Sequence, residues 1–370
     1  MAQFEVRPCL REDLPAVVDL LLSGGRAAPG VSREQIRAYA EAVYFDSPWA
    51  GRDIPSLVTV EAGGRLEGFV GVMPRALRLG DEPLTAAVPG NFVVRAGPDG
   101  RVNSFAALAM LKRLFAGVQD LTFTDTANEA SRRLWEASGA VNPSTYSLDW
   151  FRPIKPASAV LRMMETARGM PLPMSRLVMA GAGLADLAGA PLLARMARNK
   201  TTAFTTAPLD EADLLDLLNG PDRHAGAGRY EPQDLAWIME GVRAKAQGRT
   251  LRQALVLDDQ GARAGAYLYI LARNGLARVL AAPAREGKFD LVLQAAVADA
   301  AGHGASVLTG QVQPRQAAAY KGQRCFLMCN QWTLVHSRRP EVIDAFHRGQ
   351  MRLSALDGER WTRFSDLFGI

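Results

Sequence analysis

Cysteine is scarce in this chain, with three residues in 370. Cys9, Cys325 and Cys329 are too few and too scattered to staple a disulfide framework. Cys325 and Cys329 stand four apart, but no further Cys or His pair follows at ligand spacing, so no zinc site or other metal centre is expected. Histidine is nearly as rare. His224, His303, His336 and His347 are isolated from one another, with no serine or cysteine elbow near them, which disfavours a hydrolase triad. No charged-then-apolar leader opens the given sequence, and a reducing cytoplasm is the expected setting. The composition, 48% apolar and 22% charged, is too rich in core-forming residues for a disordered chain.

Long apolar runs are almost missing too. Residues 177–194 come closest, with Asp186 as their single charge. Pro191, three glycines and a hydrophobicity drawn mainly from alanine argue against a membrane span there. The net charge of +5 is unevenly placed. Between Phe151 and Lys200 stand eight cations and two anions, a surplus of six, which leaves the rest of the chain at minus one. That distribution excludes a general DNA- or RNA-binding protein and concentrates interest on one basic, methionine-rich segment. Its Met163, Met164, Met170, Met174, Met179 and Met196 are half of the chain's methionines. It reads as a pair of helices linking two domains, with a surface able to touch anionic lipid or a lipid-linked substrate from the inner face of a membrane.

At 370 residues the chain exceeds what a single core usually fills. The first half reads as a strand at 4–7, a helix from Arg11, and a second helix opened by Ser32 with Gln35 in capping-box position. Strands at 57–60 and 68–73 flank the turn Ala62-Gly-Gly-Arg65 as a hairpin. Strands at 84–88 and 91–94, a helix at 105–115, a short strand and a helix from Asn128 complete the set. The second half repeats this plan loosely. It shows a helix from Asp210, a hairpin about Asp258-Asp-Gln-Gly261, a strand at 276–281, a long helix at 289–301, a strand at 306–309, a short helix at 313–322 and a last strand at 332–335. The expected domains are therefore 1–152 and 203–370, joined by the basic linker 153–202.

The stretch from Val93 to Gly139 carries the chemistry. Pro98, Arg101, Ser104 and Ala106 are spaced Pro-x-x-Arg-x-x-small-x-small ahead of a helical run. A helix N-terminus offers backbone N–H groups to an anion, and small residues let the backbone approach a phosphate. Downstream comes Asn128-x-x-Ser-x-x-Leu-Trp135-x-x-Ser-Gly139. Together these parts resemble the GCN5-related N-acetyltransferase (GNAT) family. Arg101 and Ala106 match its Q/R-x-x-G-x-G/A loop, while Ser104 replaces a usual glycine.

The resemblance implies an α/β (α+β) chain of two GNAT-like domains, each a mixed, mostly antiparallel sheet flanked by helices. It implies acetyl-CoA or another acyl-CoA as co-substrate. Backbone amides at Val102, Asn103, Ser104, Phe105 and Ala106, begun by Arg101, would hold the pyrophosphate. Val93 and Val94 would offer strand edges to the pantetheine arm, with Asn128 as helix cap and pantetheine partner. Trp135 stands where the family often has a proton-donating tyrosine, and an indole cannot serve as that acid. In the second unit, Pro283-Ala-Arg285-Glu-Gly287-Lys-Phe-Asp290 lacks the phosphate register, and Asp290 would repel the ligand. Tyr320 there supplies a tyrosine in the place of Trp135, and also reads as a packed residue. Asp125 and Asp46 are the carboxylates placed to take a proton, and both also read as caps or solvated charges. The expected reaction is acyl transfer to an amine, carried by a small molecule or by a lipid- or sugar-linked envelope precursor. Two other readings stay open: an aminoacyl-tRNA-dependent peptidyltransferase, and a binding protein without turnover. Oligomeric state is not legible.

Overall fold

Two long antiparallel strands, β3 (Leu66–Leu79) and β4 (Glu82–Val94), form the spine of the first sheet. The computed structural model describes residues 4–23, 28, 30–49, 53–97, 103–158, 202–220, 224–363 and 366–367. Around the spine the sheet runs β1 (Phe4–Pro8), β2 (Leu57–Glu61), β3, β4, β5 (Leu121–Ala127), β14 (Trp332–His336), and β8 (Gly226–Gly228) pairs with the end of β3 and with β15 (Met351–Arg352). Its β2–β3 turn places Gly64 at φ 81, the left-handed geometry that the Gly-Gly signal predicts. The strands expected at 84–88 and 91–94 are one continuous β4, bent by a bulge rather than broken.

Helices cover both faces. α2 (Arg33–Tyr44) starts as its sequence predicts: the Ser32 hydroxyl accepts the Gln35 N–H at 3.2 Å and the Gln35 side chain accepts the Ser32 N–H at 2.8 Å. It buries Ile36, Tyr39, Ala40, Val43 and Tyr44, the i, i+3, i+4, i+7, i+8 set of an amphipathic helix. α3 (Ser104–Phe115) buries Ala106, Ala107, Met110, Leu111, Leu114 and Phe115. Gly68 backs onto Met110 of α3, whereas Phe69 meets the Tyr44 ring of α2. Successive strand residues point to opposite faces, so α2 and α3 lie on opposite sides of the sheet. α4 (Glu129–Ala137) follows β5, capped by Asn128, whose side chain accepts the Ser131 N–H at 2.9 Å.

The second sheet runs β13 (Phe326–Cys329), β6 (Leu148–Pro153), β12 (Val307–Gln311), β11 (Leu276–Ala281), β10 (Arg263–Leu271), β9 (Thr250–Asp258), β7 (Phe204–Ala207). Its long helix, Phe289–Gly302, packs on β10. The hairpin at 258–261 forms as expected, with Asp258 accepting the Gln260 and Ala262 amides.

The two compact units interleave in sequence. One comprises Met1–Leu148, Arg223–Lys245 and Cys329–Ile370; the other comprises Asp149–Asp222 and Ala246–Met328. The strand at 332–335, expected to end the second unit, instead pairs antiparallel with β5 in the first sheet. Reciprocally β6, at the end of the expected first domain, pairs with β12 in the second sheet. A boundary drawn at 152 follows chain order, while pairing follows the free strand edges of β5 and β12. Most of the expected linker lies outside the described residues, as does the apolar stretch 177–194. Among the described residues no helix is long and apolar enough to cross a membrane.

Candidate active site

The register of β4 holds the first clue. Val93 faces Phe69 of β3, but the next aligned pair is Gly90 with Gly71, so β4 carries one extra residue across the interval. Asn91 sits in that bulge at φ 51, an uncommon conformation for a residue with a side chain. The bulge turns backbone groups of β4 away from β3. On the other edge, β4 and β5 run parallel and pair only at Ala86 with Leu121 and Ala87 with Thr122. Beyond those rungs β4 stays with β3 and β5 stays with β14, so the two strands diverge and a wedge opens between 88–94 and 123–127. Strand edges inside such a wedge keep N–H and C=O groups that the sheet does not use.

A segment far away in sequence reaches this wedge. Residues 353–363 are irregular, and they are held by Arg75 of β3, which donates to the Leu356 carbonyl at 3.0 Å, and by Tyr230, which donates to Asp357 at 2.6 Å. Trp361 packs edge-on to Trp237 at 5.0 Å. At the tip, the Glu359 N–H donates to Asp125 of β5 at 3.0 Å, and the Arg360 guanidinium donates twice to the Asp125 carbonyl, at 3.1 and 2.9 Å. A Cβ on Gly358 would fall 2.3 Å from the Asp125 carboxylate, so only glycine allows this approach.

Glu359 itself is 2% exposed. Its Oε2 accepts from the Thr126 hydroxyl of β5 at 2.8 Å. Its Oε1 lies against β4, where a Cβ added to Gly90 would be only 1.9 Å away, and has no hydrogen-bond partner of good geometry. One carboxyl group thus bridges the two diverging strands. Burial is the main cause that pushes the Glu359 carboxyl up to about 8. The Thr126 hydroxyl, the Lys245 charge and the Asn91 amide oppose that rise, and the charge of Asp125 adds to it. Around it, the Asn91 side chain donates to the Tyr44 hydroxyl at 3.1 Å, Tyr39 and Thr362 share a 3.4 Å bond, and the Lys245 ammonium donates to the Thr362 carbonyl at 2.6 Å. Burial holds both tyrosine hydroxyls well above their ordinary range, so they stay neutral.

The sequence candidates distribute as follows. Val93 and Val94 are buried on β4 past the bulge. Asn103 caps α3, its side chain accepting the Phe105 and Ala106 amides at 3.1 and 3.2 Å. A phosphate bound there would take over donors that Asn103 now satisfies. Ser104 opens α3, and Phe105 is 71% exposed. Arg101 and Val102 lie outside the described residues. Trp135 is a core residue, buried and edge-on to Phe115 at 5.2 Å, consistent with an indole that packs rather than donates a proton. Asp125 anchors the 358–360 turn. Asp46 is exposed and ion-paired with Arg11. Tyr320 belongs to the second unit, buried between Trp150 and Phe289, and its hydroxyl accepts the Gln313 amide at 2.9 Å. Sequence reading passed over Glu359 altogether. The signal available was Gly358 beside it and Trp361 two residues on, a small residue and a large apolar one inside a charged turn. Among the described residues, no group of three or more His, Cys, Asp or Glu side chains could hold a metal ion.

No protein-family model matches the chain, and no curated sequence matches it. Solved structures do. One is a conserved protein of unknown function from Enterococcus faecalis, described as a probable N-acyltransferase, at 12% identity, TM-score 0.57, covering 90% of this chain and 73% of that one. Another is a GCN5-related N-acetyltransferase from Anabaena variabilis, at 12% identity, TM-score 0.56, covering 91% and 74%. A third, from Kribbella flavida and also described as a GCN5-related N-acetyltransferase, aligns at 14% identity, TM-score 0.53, covering 91% and 71%. The fold is that of the GCN5-related N-acetyltransferases. At such identities the likeness concerns the fold, and the mixed α/β architecture with two sheets agrees with the tandem arrangement that the sequence resemblance implies.

Proposed function

We infer that this chain is an acyl-CoA-dependent N-acyltransferase whose first unit holds the acyl donor between β4 and β5. The observation that carries this reading is the wedge: two parallel rungs, then divergence beside a bulge on β4. An extended pantetheine arm carries amide groups, and backbone groups of β4 and β5 beyond the Ala87–Thr122 rung, other than the Asp125 carbonyl that Arg360 holds, would supply matching partners. A backbone N–H beside the bulge would be the kind of donor that stabilises charge developing on a thioester oxygen. Arg101 and the amides from Val102 to Ala106 would receive the pyrophosphate at the start of α3. The Asn103 carboxamide keeps the Phe105 and Ala106 amides satisfied until an anion takes its place.

The acceptor is an amine. The cationic surplus between Phe151 and Lys200 supports an acceptor with anionic character, such as a phosphate-bearing or lipid-linked amino sugar. A chain with no spanning helix among its described residues would meet such a carrier at the membrane surface through 153–200.

Thermal unfolding with and without acetyl-CoA and CoA tests the reading. A ligand present at about a hundred times its dissociation constant stabilises the native state by roughly 2.7 kcal/mol. The expected result is an upward shift of Tm with both compounds, lost in Arg101→Glu. An unchanged Tm with saturating acetyl-CoA would overturn it.

A further inference from the structure

We propose that Glu359 is the proton-transfer residue of this acyl transfer, taking the proton from the attacking amine and returning it to the departing sulfur. The inference rests on the donor-site reading above and adds a residue and a role to it.

Three observations carry the proposal. First, position: Glu359 spans the wedge just beyond the last β4–β5 rung, its Oε2 on Thr126 and its Oε1 over Gly90, next to the bulge. A thioester held between the strands would lie beside this carboxyl. Second, polarity: the carboxyl is held by the Thr126 hydroxyl from β5 and approached by the Asn91 amide from β4, while the Asn91 side-chain oxygen beside the bulge is buried without a hydrogen-bond partner. A buried polar atom left unsatisfied is destabilising, which an incoming N–H donor would relieve. Third, support: Gly358 and Gly90 are each closed to any side chain by the neighbouring carboxyl group, so the backbone is shaped around this contact.

The chemistry balances without another reagent. The amine nitrogen bonds to the thioester carbonyl carbon, and Glu359 carboxylate takes one N–H proton. The carbon–sulfur bond breaks, and protonated Glu359 gives that proton to the sulfur, leaving an amide and a thiol with the carboxylate restored. A single group serves as base and then acid, which fills the place that Trp135 cannot. The groups facing it are Asp125 and Thr126 from β5, Asn91 from β4, Tyr39 and Tyr44 from α2, Lys245 from the helix Pro232–Lys245, and Arg360 and Thr362 from its own segment. Both tyrosines stay neutral throughout. Asp125 is paired with Arg360, at 3.4 Å.

Bromoacetyl-CoA tests this without knowledge of the acceptor. A carboxylate beside the acyl carbon displaces bromide from the reagent and forms an ester, read by peptide mass mapping that separates it from labelling at Cys329. The expected result is a Glu359 adduct that accumulates faster from pH 7 to pH 9, is blocked by acetyl-CoA, and is lost in Glu359→Gln while Tm still rises with acetyl-CoA. Stabilisation by bromoacetyl-CoA with no adduct on Glu359 would overturn the proposal and leave the donor site standing. No stabilisation of wild type by either CoA thioester would remove the donor site, and the proposal with it.

Discussion

The two units build the same sheet and finish it differently. In the first, β4 continues through Val94 after two rungs with β5, and the opening is lined by Asp125, Thr126, Asn91 and Glu359. In the second, β11 stops at Ala281 after three rungs with β12, and the residue beyond the last rung is Gly310, covered by the Trp150 ring. Tyr320 stacks on that indole and Phe289 closes over the tyrosine. One unit thus keeps polar groups in its wedge, and the other fills the corresponding place with aromatic rings. Their first helical turns differ in the same sense. α3 presents amides capped by a neutral Asn103, whereas the helix Phe289–Gly302 starts with Asp290 and has no side-chain cap. The comparison supports the proposal that ligand chemistry belongs to the first unit and scaffolding to the second.

The strongest way to break this picture is to cut the chain where its sequence suggests. A fragment of residues 1–152 loses β14 from the edge of β5, together with the 353–363 segment that satisfies Asp125. It should show no cooperative melt by circular dichroism, and a sharp two-state melt would refute the interleaved arrangement. Next come two glycines. Gly90→Ala must move the Glu359 carboxyl and should cost about 2–3 kcal/mol in urea unfolding while abolishing the Tm shift with acetyl-CoA. Gly310→Ala meets the Trp150 ring at 3.0 Å; it should cost about 1 kcal/mol and leave that shift intact.

The pH dependence sharpens the contrast further. A carboxyl whose folded pKa is raised stabilises the protein fully below its unfolded value and loses that contribution as pH climbs toward the folded one. For Glu359 the window runs from about 4.3, the ordinary glutamate value, to about 8. Wild type should therefore lose Tm across that range more steeply than Glu359→Gln, with the variant the more stable at pH 9. Equal slopes would contradict the buried carboxyl. The smallest effect is expected at Tyr320→Phe, which removes one hydrogen bond to the Gln313 amide and should cost about 1 kcal/mol with acetyl-CoA stabilisation unchanged. Loss of that stabilisation would return Tyr320 to the site.

Local signals were legible because they act within a few residues. Ser32 with Gln35, Asn128 before α4, and the turns at 62–65 and 258–261 all announce themselves by hydrogen bonds and backbone geometry over three or four positions. The Val93–Gly139 stretch likewise revealed its strand–helix–strand–helix order. What stayed hidden is non-local. The Thr126–Glu359 bond joins residues 233 apart, and Asp357-Gly-Glu-Arg360 reads in isolation as a solvated turn. The exchange of β6 and β14 between sheets is decided by which strand edges need partners, and both strands have compositions that would suit either sheet. Asn91 shows the intermediate case: two strands were expected, at 84–88 and 91–94, where one continuous β4 carries a bulge between Gly90 and Val93.

The account stands or falls on where an acyl donor binds, and hydrogen–deuterium exchange of the full chain with saturating acetyl-CoA reads that directly. It predicts slowed exchange at 88–94, 123–127 and the first turn of α3, with 279–289 and 307–311 unchanged. Protection confined to the second unit, or none in either, would contradict it.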